Sequence, residues 1–308
     1  MINWEKKGLI HTCDIYGTGF AQDAFIDIVN DKIWRIYFSA RSQESISYPH
    51  YIDVEAGNVK IKIGQSHEPL LDIGQKGSFD DNGITVTSIV KIDCNRKYIY
   101  YCGWNKKTSV PYSLSIGCAE VINDKEYRKI SDGPLIERSI NNPIAVSAPF
   151  VIKDGEIFRM WYISFQSWDS FEGRLEPIYV VKHATSQDGI NWQTDSKICI
   201  NSEYYGESIG RPWVIKDEGI FKMWFSIRGI KNYRLKSGQH YMIGYAESID
   251  GINWERRQDK FIFEKSESGW DSEMLEYASV IKFNNKYTML YNGNQFGKTG
   301  FGYAELKI

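Results

Sequence analysis

Two stretches of this chain repeat each other. Ser147-Ala148-Pro149-Phe150-Val151-Ile152-Lys153-Asp154 leads into Phe158-Arg159-Met160-Trp161-Tyr162. Gly210-Arg211-Pro212-Trp213-Val214-Ile215-Lys216-Asp217 leads into Phe221-Lys222-Met223-Trp224-Phe225, an offset of 63 residues counted from 147 to 210. Self-similarity at a fixed period constrains architecture before any other signal does. The unit is too long for a helical solenoid repeat and is rich in β-branched and aromatic residues. It predicts a four-stranded propeller blade, whose functional groups gather around one central axis.

The second strand of a blade is an aromatic alternation with five copies: Ile33–Phe38, Tyr98–Tyr101, Phe158–Tyr162, Phe221–Phe225 and Tyr287–Tyr291. A third-strand signature recurs as Ile116-Gly117-Cys118-Ala119-Glu120, Val181-Lys182-His183-Ala184-Thr185, Ile243-Gly244-Tyr245-Ala246-Glu247 and Phe301-Gly302-Tyr303-Ala304-Glu305, with Tyr51-Ile52-Asp53-Val54 in its place in the first blade. Two blades continue into a Ser-x-Asp-Gly-x-x-Trp turn, Ser186–Trp192 and Ser248–Trp254. In these turns Gly accepts positive φ, Asp caps its own backbone and Trp packs between blades. Only three residues follow Glu305, so the fifth blade lacks an outer strand. Ile2-Asn3-Trp4-Glu5-Lys6-Lys7 matches Ile252-Asn253-Trp254-Glu255-Arg256-Arg257, so the first residues are expected to supply it and close the ring. The fold class expected is all-β, a five-bladed β-propeller forming one domain over residues 1–308.

Composition narrows the function classes. Hydrophobic residues make up 42% of the chain and aromatics 15%, ample for a core. A net charge of −2 argues against nucleic acid as a partner. There is no apolar run of about 18 residues, so no membrane span is expected. The first residues lack a secretory pattern. The five cysteines, Cys13, Cys94, Cys102, Cys118 and Cys199, have no metal-site spacing. Together these favour a reducing cytoplasm. No metal cluster, phosphate-binding glycine loop or Ser/His/Asp arrangement stands out, so neither metal nor cofactor is expected.

In a propeller, residues at the start of each innermost strand line the axial pocket. Acids occupy four of these five starts: Asp23 in blade one, Asp80 and Asp81 in blade two, Glu207 in blade four, and Asp271, Glu273 and Glu276 in blade five. Glu207 and Glu273 are equivalent, each seven residues before the Val of Val-Ile-Lys. Carboxylates gathered at one mouth suit acid/base work on a sugar, one protonating the leaving oxygen while another activates water or attacks the anomeric carbon. Asp23, Asp81, Glu207 and Glu273 are the catalytic candidates. Asp23 leads, because it interrupts an apolar stretch where a turn acid is less expected.

Arg41 and Arg228 end equivalent second strands, and Arg211 lies on an innermost strand. Strand reversal brings all three to the face that holds the acids. Either they pair with the carboxylates, or their planar forks recognise an anionic group; the sequence leaves both open. Trp104 and Trp168, placed in loops after second strands, are candidate stacking rings, and Glu276 joins the substrate-binding candidates. His183 stands where Tyr245 and Tyr303 stand in other blades. It is carried as a binding candidate against the plainer expectation of a packed core imidazole.

With five blades, these turns and an Asp opening the first blade, the whole chain resembles the five-bladed propeller glycosidases of glycoside hydrolase families 43, 32, 68 and 130. In family 43 the first blade carries an Asp base, the second an orienting Asp and the third a Glu acid. The resemblance implies those roles for Asp23 and Asp81. Blade three offers Asn141, Asn142 and Ser147 but no acid, which moves the acid role to Glu207. The motifs of family 32 are absent. Arg211-Pro212-Trp213-Val214, Trp270-Asp271-Ser272-Glu273-Met274 and Tyr291-Asn292-Gly293-Asn294 are similar to phrases in a group of bacterial propeller proteins associated with surface-polysaccharide loci. Two functions are therefore expected to compete. One is a glycoside hydrolase-like enzyme cleaving a glycosidic or glycosyl-phosphate bond. The other is a non-hydrolytic carbohydrate-binding or glycosyl-transfer protein of polysaccharide assembly that recognises an anionic sugar or nucleotide sugar. In both, the partner is a sugar or glycoconjugate.

Overall fold

The computed structural model describes residues 2–123, 125–234 and 238–306. It is nearly all β, with five sheets arranged as a five-bladed propeller. Blade one is Gln22–Ile28, Ile33–Arg41, Ser47–Glu55 and Asn58–Gln65; blade two is Ile84–Lys91, Lys97–Lys106, Tyr112–Val121 and Tyr127–Lys129. Blade three is Val146–Asp154, Ile157–Phe171, Arg174–Ser186 and Gln193–Ile200; blade four is Ser208–Asp217, Ile220–Arg228, Met242–Ser248 and Glu255–Arg256. All pairs within these blades are antiparallel. The expected third strand of blade one is present, with Ile52 facing Ile36.

Blade five closes the ring as its sequence match implies. Glu276–Phe283, Lys286–Asn292 and Phe301–Leu306 are joined by Ile2–His11, which pairs antiparallel with Phe301–Leu306, Trp4 opposite Leu306. Phe261–Ile262 then adds a short parallel pairing outside Ile2–His11. Closure by the chain's first strand leaves neither the first nor the last segment as an open edge.

Aromatic packing explains why the signature repeats. In the third strands, Gly244 lies across from Phe225, and a Cβ there would fall 2.5 Å from the Phe225 ring. Glycine at this point lets a second-strand aromatic lie flat on its neighbour. Between blades, Trp161 of blade three donates its indole N–H to the Gly251 carbonyl of the blade-four turn at 2.8 Å and meets Trp254 edge-on at 6.0 Å. Tyr100 of blade two repeats this on blade three, giving its hydroxyl to the Gly189 carbonyl at 2.6 Å and meeting Trp192 at 6.0 Å. Such aromatic pairs contribute about 0.5–1.5 kcal/mol beyond their area burial. Trp4 completes the series, edge-on to Trp224 of blade four at 6.1 Å and 85°. Blade five has no Ser-x-Asp-Gly turn before this strand, and the Trp224 indole N–H is accordingly buried without a partner among the described residues.

Lysines of the repeated Val-Ile-Lys stitch neighbouring blades at the far face. Lys216 pairs with Asp154 at 2.6 Å and Lys282 with Asp217 at 2.6 Å. All five cysteines are free thiols, four buried and Cys94 exposed. Among the described residues no helix is long and apolar enough to cross a membrane.

Candidate functional site

The innermost strands are irregular where they reach the axis. Their ladders are interrupted between Gln22 and Phe25, Ser147 and Phe150, Gly210 and Trp213, and Glu276 and Ser279. At the same point of each bulge sits a non-glycine residue with positive φ: Asp23 at 57°, Ala148 at 46°, Arg211 at 51° and Tyr277 at 56°. Blade two is bulged between Val86 and Ser88. A bulge re-aims a side chain, and an L-residue held at positive φ costs of order 1–3 kcal/mol, a cost typical of functional sites. Four blades thus use the same device to turn a side chain toward the axis, and what differs is the residue each presents.

At these bulges lie a cavity of about 330 Å³ and an adjoining inner one of about 120 Å³, with Asp23, Thr85, Trp104, Tyr112, Tyr179, Tyr241 and Tyr277 lining both. The larger volume lies in the range of about 300–1,000 Å³ usual for small-molecule sites. Among the described residues, Asp23 is the only acid lining either one. Tyr112, Tyr179, Tyr233, Tyr241, Tyr277 and Trp104 form aromatic walls. Arg41, Lys106, Arg228 and Arg234 border the outer space, and Arg211 lies at the bottom of the inner one.

Each charged group has a distinct set of partners. Arg211, 2% exposed, donates its Nε–H to Asp23 Oδ1 at 2.7 Å and an Nη2–H to the Asp23 carbonyl at 3.2 Å, while its Nη1 is buried without a partner among the described residues. Burial pushes the Asp23 carboxyl up from its ordinary value; the charge and hydrogen bond of Arg211, and then Arg41, pull it back. Glu276 is wholly buried, and neither carboxyl oxygen has a hydrogen-bond partner in acceptable geometry among the described residues. Burial and then the Asp23 charge hold it well above its ordinary value, against the Tyr277 phenol and Arg41. Asn292 links the two strands. Its side-chain oxygen accepts from the Asp23 backbone N–H at 3.0 Å, and the residue pairs with Glu276 in the sheet.

Arg228 is fully engaged. Its Nε meets the hydroxyls of Tyr179 and Tyr241 at 3.1 and 3.2 Å, its Nη2 meets the Pro177 carbonyl at 2.6 Å, and its guanidinium lies 4.0 Å from the Tyr233 ring centre. It therefore organises the aromatic wall. Arg234 is bidentate to Glu176, at 3.0 and 3.1 Å. Arg41 is less committed, with one side-chain hydrogen bond, to Gln22 Oε1 at 2.7 Å, and the Phe20 ring 4.7 Å away.

The structure brings together Asp23, Arg41, Arg211, Arg228 and Trp104 around this cavity, with Glu276 buried beside them. The expected ring of carboxylates does not assemble there, since Asp81, Glu207 and Glu273 line neither space. Asp81 organises its own loop, accepting from the Gly77 N–H at 2.8 Å and Asn105 Nδ2 at 2.7 Å. Glu207 is buried against Arg256 at 2.8 Å and caps the Glu203 N–H at 2.6 Å. The Glu273 backbone N–H is held by Asn294 Oδ1 at 2.7 Å. Trp104 and Trp168 lie within long second strands rather than in loops after them. Trp104 lines both spaces and donates to Thr85 Oγ1 at 2.9 Å, whereas Trp168 buttresses the wall through Tyr112 at 5.0 Å. His183 is packed in blade three against Trp161 at 5.5 Å, and burial lowers its pKa to about 4, as a core imidazole would have it.

Sequence reasoning missed Tyr277, Tyr241, Tyr179 and Tyr233. Tyr277 was legible in principle, because it aligns with Arg211 three residues before the Val of Val-Ile-Lys. Tyr179 comes from the third strand of blade three, and Tyr233 and Tyr241 from the loop before Met242–Ser248, where nothing repeats.

The five-bladed propeller fold is shared with solved structures of glycoside hydrolases. A solved structure described as "Glycoside hydrolase" superposes with a TM-score of 0.75 at 16% identity, covering 98% of this chain and 90% of that one. A thermostable family-43 glycoside hydrolase gives a TM-score of 0.63 at 16% identity, covering 93% and 88%. No family model matches the chain. In sequence it is 34% identical over 282 residues to the uncharacterized protein Rv1502 of Mycobacterium tuberculosis, covering 91% of this chain and 90% of that protein. The chain belongs to the family of that mycobacterial protein.

Proposed function

We propose that the protein is a carbohydrate-active enzyme that acts on a glycosidic or glycosyl-phosphate bond in the axial cavity, with Asp23 as the carboxylate facing the substrate. The observation that carries this reading is that Asp23, alone among the acids of the described residues, lines both adjoining spaces, fixed by Arg211 on a bulge that turns it to the axis. The likeness in fold to glycoside hydrolases supports it. A carboxylate at Asp23 is suited to activate water or attack an anomeric carbon. Burial pushes the Asp23 and Glu276 carboxyls up alike, and the ion pair with Arg211 pulls Asp23 back toward its charged form. The aromatic walls offer flat surfaces for the apolar faces of sugar rings.

Asp23→Asn, assayed on a broad glycoside and glycosyl-phosphate panel, tests the reading. Turnover should fall by about 10²–10⁴-fold while the sugar still binds. A second reading, a non-hydrolytic sugar-binding or transfer role in polysaccharide assembly, is favoured by blade three, which presents Ser147 and Ala148 to the inner space and no acid. Binding without turnover by either form of the protein would select it.

A further inference from the structure

The cavity is charged in an unusual way for a site that handles neutral sugars. Among the described residues five cations border it, Arg41, Lys106, Arg211, Arg228 and Arg234, against one lining acid, Asp23. Glu176 offsets Arg234 from outside the lining, and Asp23 offsets Arg211. Arg228 has its hydrogen bonds filled by phenols and carbonyls, none of them anionic. That leaves a surplus of positive charge in a space walled by rings, where low polarizability strengthens any ion pair.

Two of these cations have donors to spare. Arg41 forms no ion pair among the described residues and gives one side-chain hydrogen bond, to the neutral Gln22, so most of its five-donor fork is unspent. Burial lowers its pKa, the mark of a cation short of compensation, although Tyr277, Asp23 and Glu276 work against this. Beneath it, Arg211 keeps Nη1 buried and unpartnered where the residue lines the inner space. A buried guanidinium N–H without an acceptor carries a large penalty unless a ligand completes it. At the rim, Lys106 is exposed.

We infer that the substrate is an acidic sugar, bearing a carboxylate or a phosphate, and that Arg41 is the residue that takes the negative group. Lys106 at the rim steers the charge into the cavity, and the aromatic walls hold the ring. A planar fork offers two parallel hydrogen bonds to either oxyanion, which Lys in the same place cannot. This names the substrate class of the site proposed above and rests on reading that site as a sugar site.

The test is binding, measured calorimetrically, of matched neutral and acidic sugars in the gluco, galacto and manno series: the free sugar, its uronate and its 6-phosphate, with inorganic phosphate alone as control. The wild-type protein should favour one acidic form over its neutral parent by about tenfold or more. Arg41→Gln should abolish that preference, read as the ratio of acidic to neutral affinity within the same variant, and Arg41→Lys should restore only part of it. Lys106→Gln, at an exposed position that does not endanger folding, should cost about two- to threefold, an effect that fades with added salt. The uronate and 6-phosphate arms decide which anion is native. The inference is overturned if neutral and acidic sugars bind alike, if none binds at millimolar concentration, or if Arg41→Gln weakens both classes equally. Phosphate alone binding as tightly as the sugar phosphates would remove the sugar from the site and overturn the inference with it. Acid preference without any Asp23-dependent turnover would retain this inference and refute the enzymatic reading.

Discussion

The turns at Ser186–Trp192 and Ser248–Trp254 and the bulges at the axis are both repeated devices, yet they treat polar groups in opposite ways. In the turns everything is satisfied locally. Asp250 Oδ1 accepts from the backbone of Ile252 and Asn253 at 2.8 Å each, and Ser248 Oγ binds Asp250 and the Gly251 N–H. Asp188 repeats the pattern with Ile190 and Asn191 at the same distances. At the bulges the backbone is strained and, among the described residues, polar atoms are left over: Arg211 Nη1 and both oxygens of Glu276. The copies also diverge there, with Asp, Ala, Arg and Tyr at one structural position. A scaffold element converges on one sequence because its neighbours are its own residues. A site element diverges because its missing neighbour is a ligand.

The contrast predicts that scaffold substitutions cost stability and leave ligand affinity alone. The largest effect belongs to Trp161, fully buried and tied to the next blade's turn. Trp161→Ala should destabilise by about 3–5 kcal/mol in denaturant unfolding, because it opens a cavity between blades three and four. A change in sugar affinity in the fraction that remains folded would break the division.

Acid should attack the same region. Burial, with a further push from Arg159, depresses the His183 pKa from 6.5 to about 4. The folded state therefore binds fewer protons than the unfolded one between those values. The stability due to the neutral ring is present in full above pH 6.5 and is lost as pH falls toward 4, up to about 3 kcal/mol. His183→Gln should flatten the unfolding free energy over that window. An unchanged slope would mean that the ring is wetter than its packing on Trp161 indicates.

A smaller cost falls on the turn itself. Asp250→Ala removes the acceptor of two backbone N–H groups and of Asn253 Nδ2. A loss of about 1–2 kcal/mol is expected, like the loss of a helix cap, and Asp188→Ala should match it. Unequal costs at these two equivalent turns would show that blade context outweighs the motif.

How far each region could be read from sequence follows the same division. Repeated hydrophobic pattern and turn chemistry are local, so the blades, the third-strand glycines and closure by Trp4 were legible. Asp23, Arg41 and Arg228 were also legible at the mouth, because strand reversal is a property of topology. The roles of Asp81 and Glu207 were not, because their partners Asn105 and Arg256 lie 24 and 49 residues away and only folding delivers them. An acid at a strand start looks the same in sequence whether it faces a cavity or caps a loop. For Glu276 the position was legible and the burial was not, since enclosure depends on what four other blades place around the axis.

Glu276 therefore offers the finest test, with a small effect of opposite sign. Its carboxyl is held well above the ordinary value of 4.5 by burial and then by Asp23, with Tyr277 and Arg41 opposing. The folded state keeps a proton that the unfolded chain releases above that pH. Stability from this residue is thus greatest at and below pH 4.5 and declines as pH rises toward the elevated folded pKa. Glu276→Gln keeps the shape and removes the titration. The variant should melt above the wild-type protein at pH 8, with the gap closing as pH approaches 4.5 in a thermal unfolding series. A variant less stable at every pH would mean that the Glu276 carboxyl meets a partner on which the fold depends, and it would move this residue from the site to the scaffold. If stability follows the expected course while the pH profile of turnover or sugar binding shifts, Glu276 holds its proton for the ligand, and the unfilled polar atoms at the axis are the ligand's share of the structure.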